Sequence, residues 1–385
     1  MKFADRMSNL GTETAFEVLA KARKLEAEGK SIIHLEIGEP DFPTPENICE
    51  AAISSIKAGD THYTPSAGIP EVRAAISKYI NKTRGIDVHP DEVVMTPGAK
   101  PIMFFAILAL VNEGDEVIYP NPGFPIYESM IKFVGGKPVP LKLKEEIGFA
   151  FEVKDLKKLI TAKTKLIIIN TPQNPTGGIL TEEKIRQIAD VLKDREDIWI
   201  LSDEIYSRLI FKGEHFSITQ ISGFKDRTII LDGFSKTYAM TGWRAGYGIM
   251  NVELAKRISQ LMTNSNSCTN AIVQKACIEA YEGSQESVKA MKEEFKVRRD
   301  IIVEGLNSIK GFSCIVPLGA FYAFPNITKT GYISKELSDH LLYKGGVASL
   351  AGTSFGEFGE GYLRFSYANS RENIKEAIMR IKRVL

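Results

Sequence analysis

Several polar groups stand in a fixed order through the middle of the chain. Asn174 lies in Asn-Thr-Pro-Gln-Asn-Pro-Thr-Gly-Gly, Asp203 in Ser-Asp-Glu-Ile-Tyr, and Ser235 and Lys236 are adjacent, with Arg244 eight positions after that lysine. A lysine of lowered proton affinity is a nucleophile and a base, a carboxylate steadies a cation, and a guanidinium grips an anion through a planar fork. Upstream, Gly98-Ala99-Lys100 sits between two apolar runs. A helix starting there would offer free backbone N–H groups to a phosphate. Each feature has a plain alternative. Asn174-Pro175-Thr176-Gly177 could be only a turn, and Lys236 a solvated surface lysine. Asp203-Glu204 could open a helix and complement its dipole, and Arg244 could stack on Trp243. Their joint occurrence resists these readings. Metal chemistry finds no support, because the five histidines (His34, His62, His89, His215, His340) are scattered without H-E-x-x-H or Cys/His spacing. Neither a G-x-x-x-x-G-K-[ST] loop nor a G-x-S-x-G elbow is present, and the glycines from Gly356 to Gly361 read as a turn.

The elements that must position these groups are legible as apolar runs. Glu92–Thr96 reads as a strand followed by a helix from Ala99 to Val111, and Glu116–Tyr119 as a strand followed by a helix from Pro125 to Phe133. Lys165–Asn170, Trp199–Leu201 and Thr228–Leu231 read as further strands, and Thr181 opens a helix. Strands of Ile, Val and Leu without polar alternation are buried on both faces, as in a parallel sheet between helices. The polar groups then fall at the carboxyl ends of the strands, where open α/β sheets bind ligands. After Asn251 the pattern turns helical (252–263, 270–281, 284–309), then mixes short strands at 319–324 and 362–367 with a last helix at 372–385. The predicted organisation is a large α/β domain at 35–285 and a small α+β domain from 1–34 and 286–385. The opening segment, 1–29, is expected to be helical.

Composition narrows the function. Of 385 residues, 44% are hydrophobic and 25% charged, which excludes wholesale disorder. Forty-nine Lys plus Arg against 48 Asp plus Glu leave a formal charge of +1, so no overall field favours nucleic acid. The four cysteines form no C-x-x-C pair, which suits a reducing compartment. The longest apolar run, Pro101–Val111, is well short of the ~20 residues that span a bilayer. The expectation is a soluble cytoplasmic enzyme that binds neither nucleic acid nor membrane.

On these motifs the chain resembles the fold-type I pyridoxal-phosphate enzymes, most closely the class I aminotransferases of the aspartate aminotransferase group. The resemblance covers nearly the whole chain. It rests on Gly38-Glu39-Pro40-Asp41-Phe42, Tyr63-Thr64-Pro65-Ser66-Ala67-Gly68, Asn174-Pro175-Thr176-Gly177, Ser202-Asp203-Glu204-Ile205-Tyr206, the segment from Ser235 to Arg244, and Leu363-Arg364-Phe365-Ser366-Tyr367. It implies a mostly parallel central sheet between helices, with a smaller α+β domain formed by both chain ends. It also implies that Lys236 carries pyridoxal 5'-phosphate and moves the substrate proton, while Asp203 keeps the pyridine nitrogen protonated. Tyr206 and Asn174 would bond the ring oxygen, and Phe124 would stack on the ring. Ser235, Arg244 and the turn Gly98, Ala99, Lys100 would hold the phosphate, with the Lys100 backbone rather than its side chain in contact. Tyr63 would reach the phosphate of a neighbouring subunit, which implies a homodimer with shared sites. Arg364, an arginine between Leu363 and Phe365, would grip the substrate α-carboxylate beside Asn174, and Gly38 would lie where a side chain would obstruct the substrate.

No motif places a cation for the substrate side chain. Glu13 and Thr14 fall in the segment expected to line the pocket entrance. Aspartate with a 2-oxo acid such as 2-oxoglutarate is the leading pair, and alanine and aromatic amino acids stay open. A related carbon–sulfur lyase or cyclopropane-forming synthase would keep the same cofactor residues. A regulator joining this fold to a DNA-binding head is disfavoured, because no further helix-turn-helix region is evident.

Overall fold

The apolar runs become strands in the computed structural model, which describes residues 2–385. The chain opens with helix α1 (Thr14–Ala27), strand β1 (Ile33–His34), and helices α2 (Glu46–Ala58) and α3 (Pro70–Arg84). Strands and helices then alternate: β2 (Val93–Thr96), α4 (Lys100–Leu110), β3 (Glu116–Asn121), α5 (Ile126–Phe133), β4 (Lys137–Lys142), α6 (Val153–Leu159), β5 (Thr164–Asn170) and α7 (Glu182–Leu192). Next come β6 (Trp199–Asp203), β7 (Thr228–Gly233) and β8 (Gly246–Ile249), followed by helices α8 (Val252–Ser265), α9 (Ala271–Glu282) and α10 (Glu286–Asn307). The remainder is β9 (Tyr322–Ala323), α11 (Ser334–His340), β10 (Val347–Ala348), β11 (Leu350–Ala351), β12 (Leu363–Ser366) and α12 (Arg371–Val384).

The large sheet has seven strands in the order β2-β8-β7-β6-β5-β3-β4. All pairs are parallel except those of β8, which runs antiparallel to both β2 and β7. Every residue of β2, β3, β7 and β8 is buried, as strands covered on both faces must be. Register does the positioning: Asn170 pairs with Asp203, and Asp203 with Leu231, so polar groups on separate strands end at one level. Side chains cap the helices behind the sheet. Thr181 accepts from Lys184 N at 3.3 Å, Asn251 from Leu254 N at 2.9 Å and Asn270 from Val273 N at 3.1 Å.

The two ends of the chain meet in smaller sheets. β1 pairs with β10 in parallel, and β11-β12-β9 form an antiparallel set. α10 supports them with Met291, Phe295, Ile302 and Leu306 at helical spacing, against Phe321, Leu337, Phe365 and Ile374. Two expectations are adjusted. The strand expected over 319–324 reduces to Tyr322–Ala323, and the opening segment holds a 3-10 turn (Asp5–Asn9) before α1 begins. Met1, where that segment and the small domain were expected to start, lies outside the described residues. Strand β8 had no apolar signal, because Gly-Tyr-Gly-Ile carries two residues without side chains.

Candidate active site

A cavity of about 970 Å³ opens at the carboxyl ends of the strands and collects most of the expected residues. Gly38, Ala99, Lys100, Phe124, Asn174, Asp203, Tyr206, Ser235, Lys236, Arg244 and Arg364 all line it. Lys236 stands on the turn after β7, where Tyr238 N bonds Phe234 O and Met240 N bonds Ser235 O. Its Nζ donates to the Gly38 carbonyl at 2.5 Å. Burial lowers the lysine to about 8, with Arg364 and Arg244 pushing the same way against Glu39 and Glu13. That is a lysine ready to lose its proton near neutrality.

Asp203 ends β6 and is buried. Burial raises its carboxyl to about 6, opposed by a hydrogen bond from Tyr127, the Ile205 N–H and the nearby Lys236. As the anion that these contacts favour, it is suited to hold a proton on a ring nitrogen. Tyr206 follows on the turn after β6, and its hydroxyl meets that of Tyr322 at 2.7 Å. Arg364 projects from β12 and is 4% exposed. Its Nη1 donates to Asn174 Oδ1 at 3.0 Å and its Nη2 to the Glu36 carbonyl at 2.5 Å. The guanidinium packs between the rings of Tyr322 and Phe355, 4.5 and 4.9 Å from their centres. Its Nε has no hydrogen-bond partner, and no carboxylate pairs with it among the described residues. A buried cation left in that state calls for an anion. At Gly38 a Cβ would stand 2.3 Å from the Tyr322 hydroxyl, so the obstruction begins with Tyr322 itself.

The other end of the cavity suits a phosphate. Arg244 takes a left-handed φ of 57° and donates to the carbonyls of Thr241 (2.9 Å) and Pro97 (3.3 Å), and among the described residues no carboxylate pairs with it. Gly98 does not line the cavity. It has φ +85°, and a Cβ there would meet Arg244 Nη2 at 2.2 Å, so its role is to let the arginine lie flat against the turn. Ala99 and Lys100 start α4, with free N–H groups. The Lys100 side chain also faces the cavity, paired with Glu13 and lying 5.5 Å over the Phe124 ring. Tyr63 is brought to no site in this chain. It is 90% exposed. Together, the lowered lysine, the buried aspartate and the unmatched arginines fit a phosphorylated pyridine aldehyde such as pyridoxal phosphate. Among the described residues no cluster of side chains is arranged to hold a metal ion.

Sequence reading missed the supports. Tyr127 is fully buried and bonds Asp203, and Tyr322 bonds Tyr206. Behind Asp203, Arg84 joins Glu204 (2.8 Å) and Asp232 (3.2 Å), with His215 2.8 Å from Glu204. Although burial opposes it, His215 and Arg84 hold Glu204 well below the usual carboxylate range, while burial lifts Asp232 to about 7. The one signal available was adjacency, since Glu204 follows Asp203 and Asp232 lies four residues before Lys236.

Comparison with known proteins gives a consistent picture. The family model described as aminotransferase class I and II matches residues 30–381. An aspartate aminotransferase of Bacillus sp. strain YM-2 is 40% identical, over 99% of this chain and 98% of that protein. One from Pyrococcus horikoshii is 41% identical, over 99% and 97%. The solved structure of Thermus thermophilus aspartate aminotransferase with maleate is similar at a TM-score of 0.96 and 34% identity, covering 100% of both chains.

Proposed function

The chain belongs to the class I and II aminotransferase family and is a transaminase, and on that footing we propose that it moves the amino group of aspartate to a 2-oxo acid such as 2-oxoglutarate, with pyridoxal 5'-phosphate bound at Lys236. The observation that carries the reading is Arg364, a buried guanidinium without a carboxylate, in one cavity with a lysine lowered to about 8. Arg364 and Asn174 hold the α-carboxylate that amino acid and oxo acid share, which brings Cα to Lys236. Lys236, its amine freed when the substrate amine takes its place, would carry the proton that leaves Cα. When bound, the cofactor supplies an electron sink for the pair left at Cα. Asp203 holds the ring nitrogen's proton, and Tyr206 and Asn174 approach the ring oxygen. Arg244, Ser235 and the N–H groups of Ala99 and Lys100 hold the phosphate, and Phe124 covers the ring. The relatives named aspartate aminotransferase support the donor, and Arg23 adds a cation to the cavity wall, where Lys100 is paired with Glu13.

The same reading makes the protein a cytoplasmic homodimer, with a cofactor domain at 35–285 and a small domain from 1–34 and 286–385. Tyr63 is exposed on a loop that Gln274 pins through Thr64 Oγ1 (2.9 Å) and Ile69 N (2.7 Å), an arrangement suited to serving a neighbour's phosphate. Among the described residues no helix is long and apolar enough to cross a membrane. Initial rates for aspartate, alanine and aromatic donors with 2-oxoglutarate and pyruvate test the substrate. Aspartate should give the largest kcat/KM. A larger value for alanine or an aromatic donor would overturn the donor assignment, and release of ammonia and pyruvate would mark a lyase. Light scattering at twice the chain mass, and weakened cofactor binding in Tyr63→Ala, are expected of the shared site.

A further inference from the structure

His34 bridges two carboxylates on different elements. Its Nδ1 lies 2.7 Å from Glu36 Oε1 and its Nε2 lies 3.0 Å from Glu26 Oε1. An ionised carboxylate only accepts, so each ring nitrogen must donate, and only the doubly protonated imidazolium satisfies both. Glu36 is fully buried, and its second oxygen has no hydrogen-bond partner. Glu26 belongs to α1, the helix that walls the cavity with Phe16 and Leu19. The backbone around His34 hangs from the arginine's own strand. Ser366 N donates to Leu35 O (2.7 Å), Asn369 Nδ2 to His34 O (2.9 Å) and Arg364 Nη2 to Glu36 O (2.5 Å).

We propose that His34 is a positioning residue for Arg364: as an imidazolium it occupies the buried Glu36 carboxylate and ties it to α1, so that Arg364 stays free to take the substrate carboxylate. The proposal rests on the reading of Arg364 as the α-carboxylate's partner. Its physical basis is competition. Glu36 and the substrate are both anions within reach of one guanidinium's field, and Glu36 already acts on Arg364. Without the imidazolium, Glu36 would be a buried anion with no side-chain donor, facing a guanidinium whose Nε has no partner and whose charge it already feels. The groups facing His34 agree. Glu36 comes from its own segment, Glu26 from α1, where Arg23 one turn earlier is the cation on the same wall, and β10 contributes uncharged Val347 and Ala348. On α12, Arg380 is engaged with Glu376 and the Ser31 carbonyl. The hydrogen bond to Glu36, against the effect of burial, raises His34 to about 9, so the imidazolium persists through neutral pH.

The test uses the cofactor-loaded enzyme and compares an amino acid, its 2-oxo acid and its decarboxylated amine, the amine by single-turnover absorbance. His34→Gln should raise KM for amino acid and oxo acid together by about tenfold, as displacement of one charge-assisted hydrogen bond implies. kcat and the rate with the amine should change little. His34→Gln with Glu36→Gln removes the competitor and should recover most of the loss. Glu26→Gln, an exposed change that spares the fold, should move the alkaline fall of kcat/KM to lower pH. Equal losses for amino acid and amine in His34→Gln, no recovery in the double variant, or an unmoved alkaline limb in Glu26→Gln would each overturn the proposal. Arg364→Lys is measured beside them. If it too fails to separate amino acid from amine, the reading of Arg364 falls. If it separates them and His34→Gln does not, only the His34 bridge falls.

Discussion

Replacing Tyr127 by phenylalanine isolates one hydrogen bond at the reacting centre. The Tyr127 hydroxyl donates to Asp203, and both side chains are buried. Burial already lifts Asp203 to about 6, so the ionised form depends on few donors: Tyr127, the Ile205 N–H at 3.3 Å, and the field of Lys236. A hydrogen bond to a charged group contributes roughly 1.5–3 kcal/mol, and one pH unit corresponds to about 1.4 kcal/mol. The hydroxyl stabilises the carboxylate and not the acid, so its loss raises the Asp203 pKa, by roughly 1–2 units. The ionised form, proposed to hold the ring nitrogen's proton, then persists only above a higher pH. Phenylalanine keeps the ring and its edge contact with Phe124, centred 5.6 Å away, so packing changes little. The assay is kcat/KM for the amino donor against pH, wild type beside variant. A protonated ring nitrogen held at Asp203 would lower the acid limb of both proteins alike, so the difference between them is the readout. The limb should move upward by roughly 1–2 units while the alkaline plateau stays within a few fold of wild type. Limbs that coincide would refute the claim that Tyr127 supports the Asp203 anion.

Three further outcomes follow from the same geometry. Lys236→Ala should abolish the borohydride-reducible link to the cofactor; a reducible adduct at wild-type yield would move that role to another lysine. Gly98→Ala combines a left-handed φ of +85° with a Cβ 2.2 Å from Arg244 Nη2, so cofactor affinity should fall by about tenfold or more while Lys236 still forms its link, measured by equilibrium dialysis. Arg84→Met strands Glu204 and Asp232 as buried carboxylates and should lower stability by about 3–5 kcal/mol in urea unfolding; a loss under about 1 kcal/mol would show that His215 and the nearby hydroxyls suffice.

What was legible in the sequence followed the strands. Asn174, Asp203 and Lys236 could be placed because each comes within a few residues of an apolar run, and a parallel register carries such ends to one level. Arg364 was legible for the opposite reason, a cation inside an apolar strand. Tyr127 and Tyr322 were not legible, because a buried tyrosine reads as core until its hydroxyl finds a partner, and those partners, Asp203 and Tyr206, lie on other elements. Arg84 closes α3, where a basic residue is ordinary, yet it is 3% exposed between Glu204, just past the end of β6, and Asp232 of β7. His34 and Glu36 stand two apart, the spacing that puts strand side chains on one face, but Glu26 reaches them only after the chain has turned back from α1. The same limit applies to Lys100. Sequence suggested its backbone as the contact, and the fold adds a side chain paired with Glu13 across the cavity. Apart from Arg364, the residues proposed to touch the reacting groups are fixed near strand ends, whereas the residues that set their charge are fixed by contacts between elements. The second kind becomes visible only when the sheet is assembled, and it is there, in Tyr127, Glu36 and Glu13, that the tuning of this site resides.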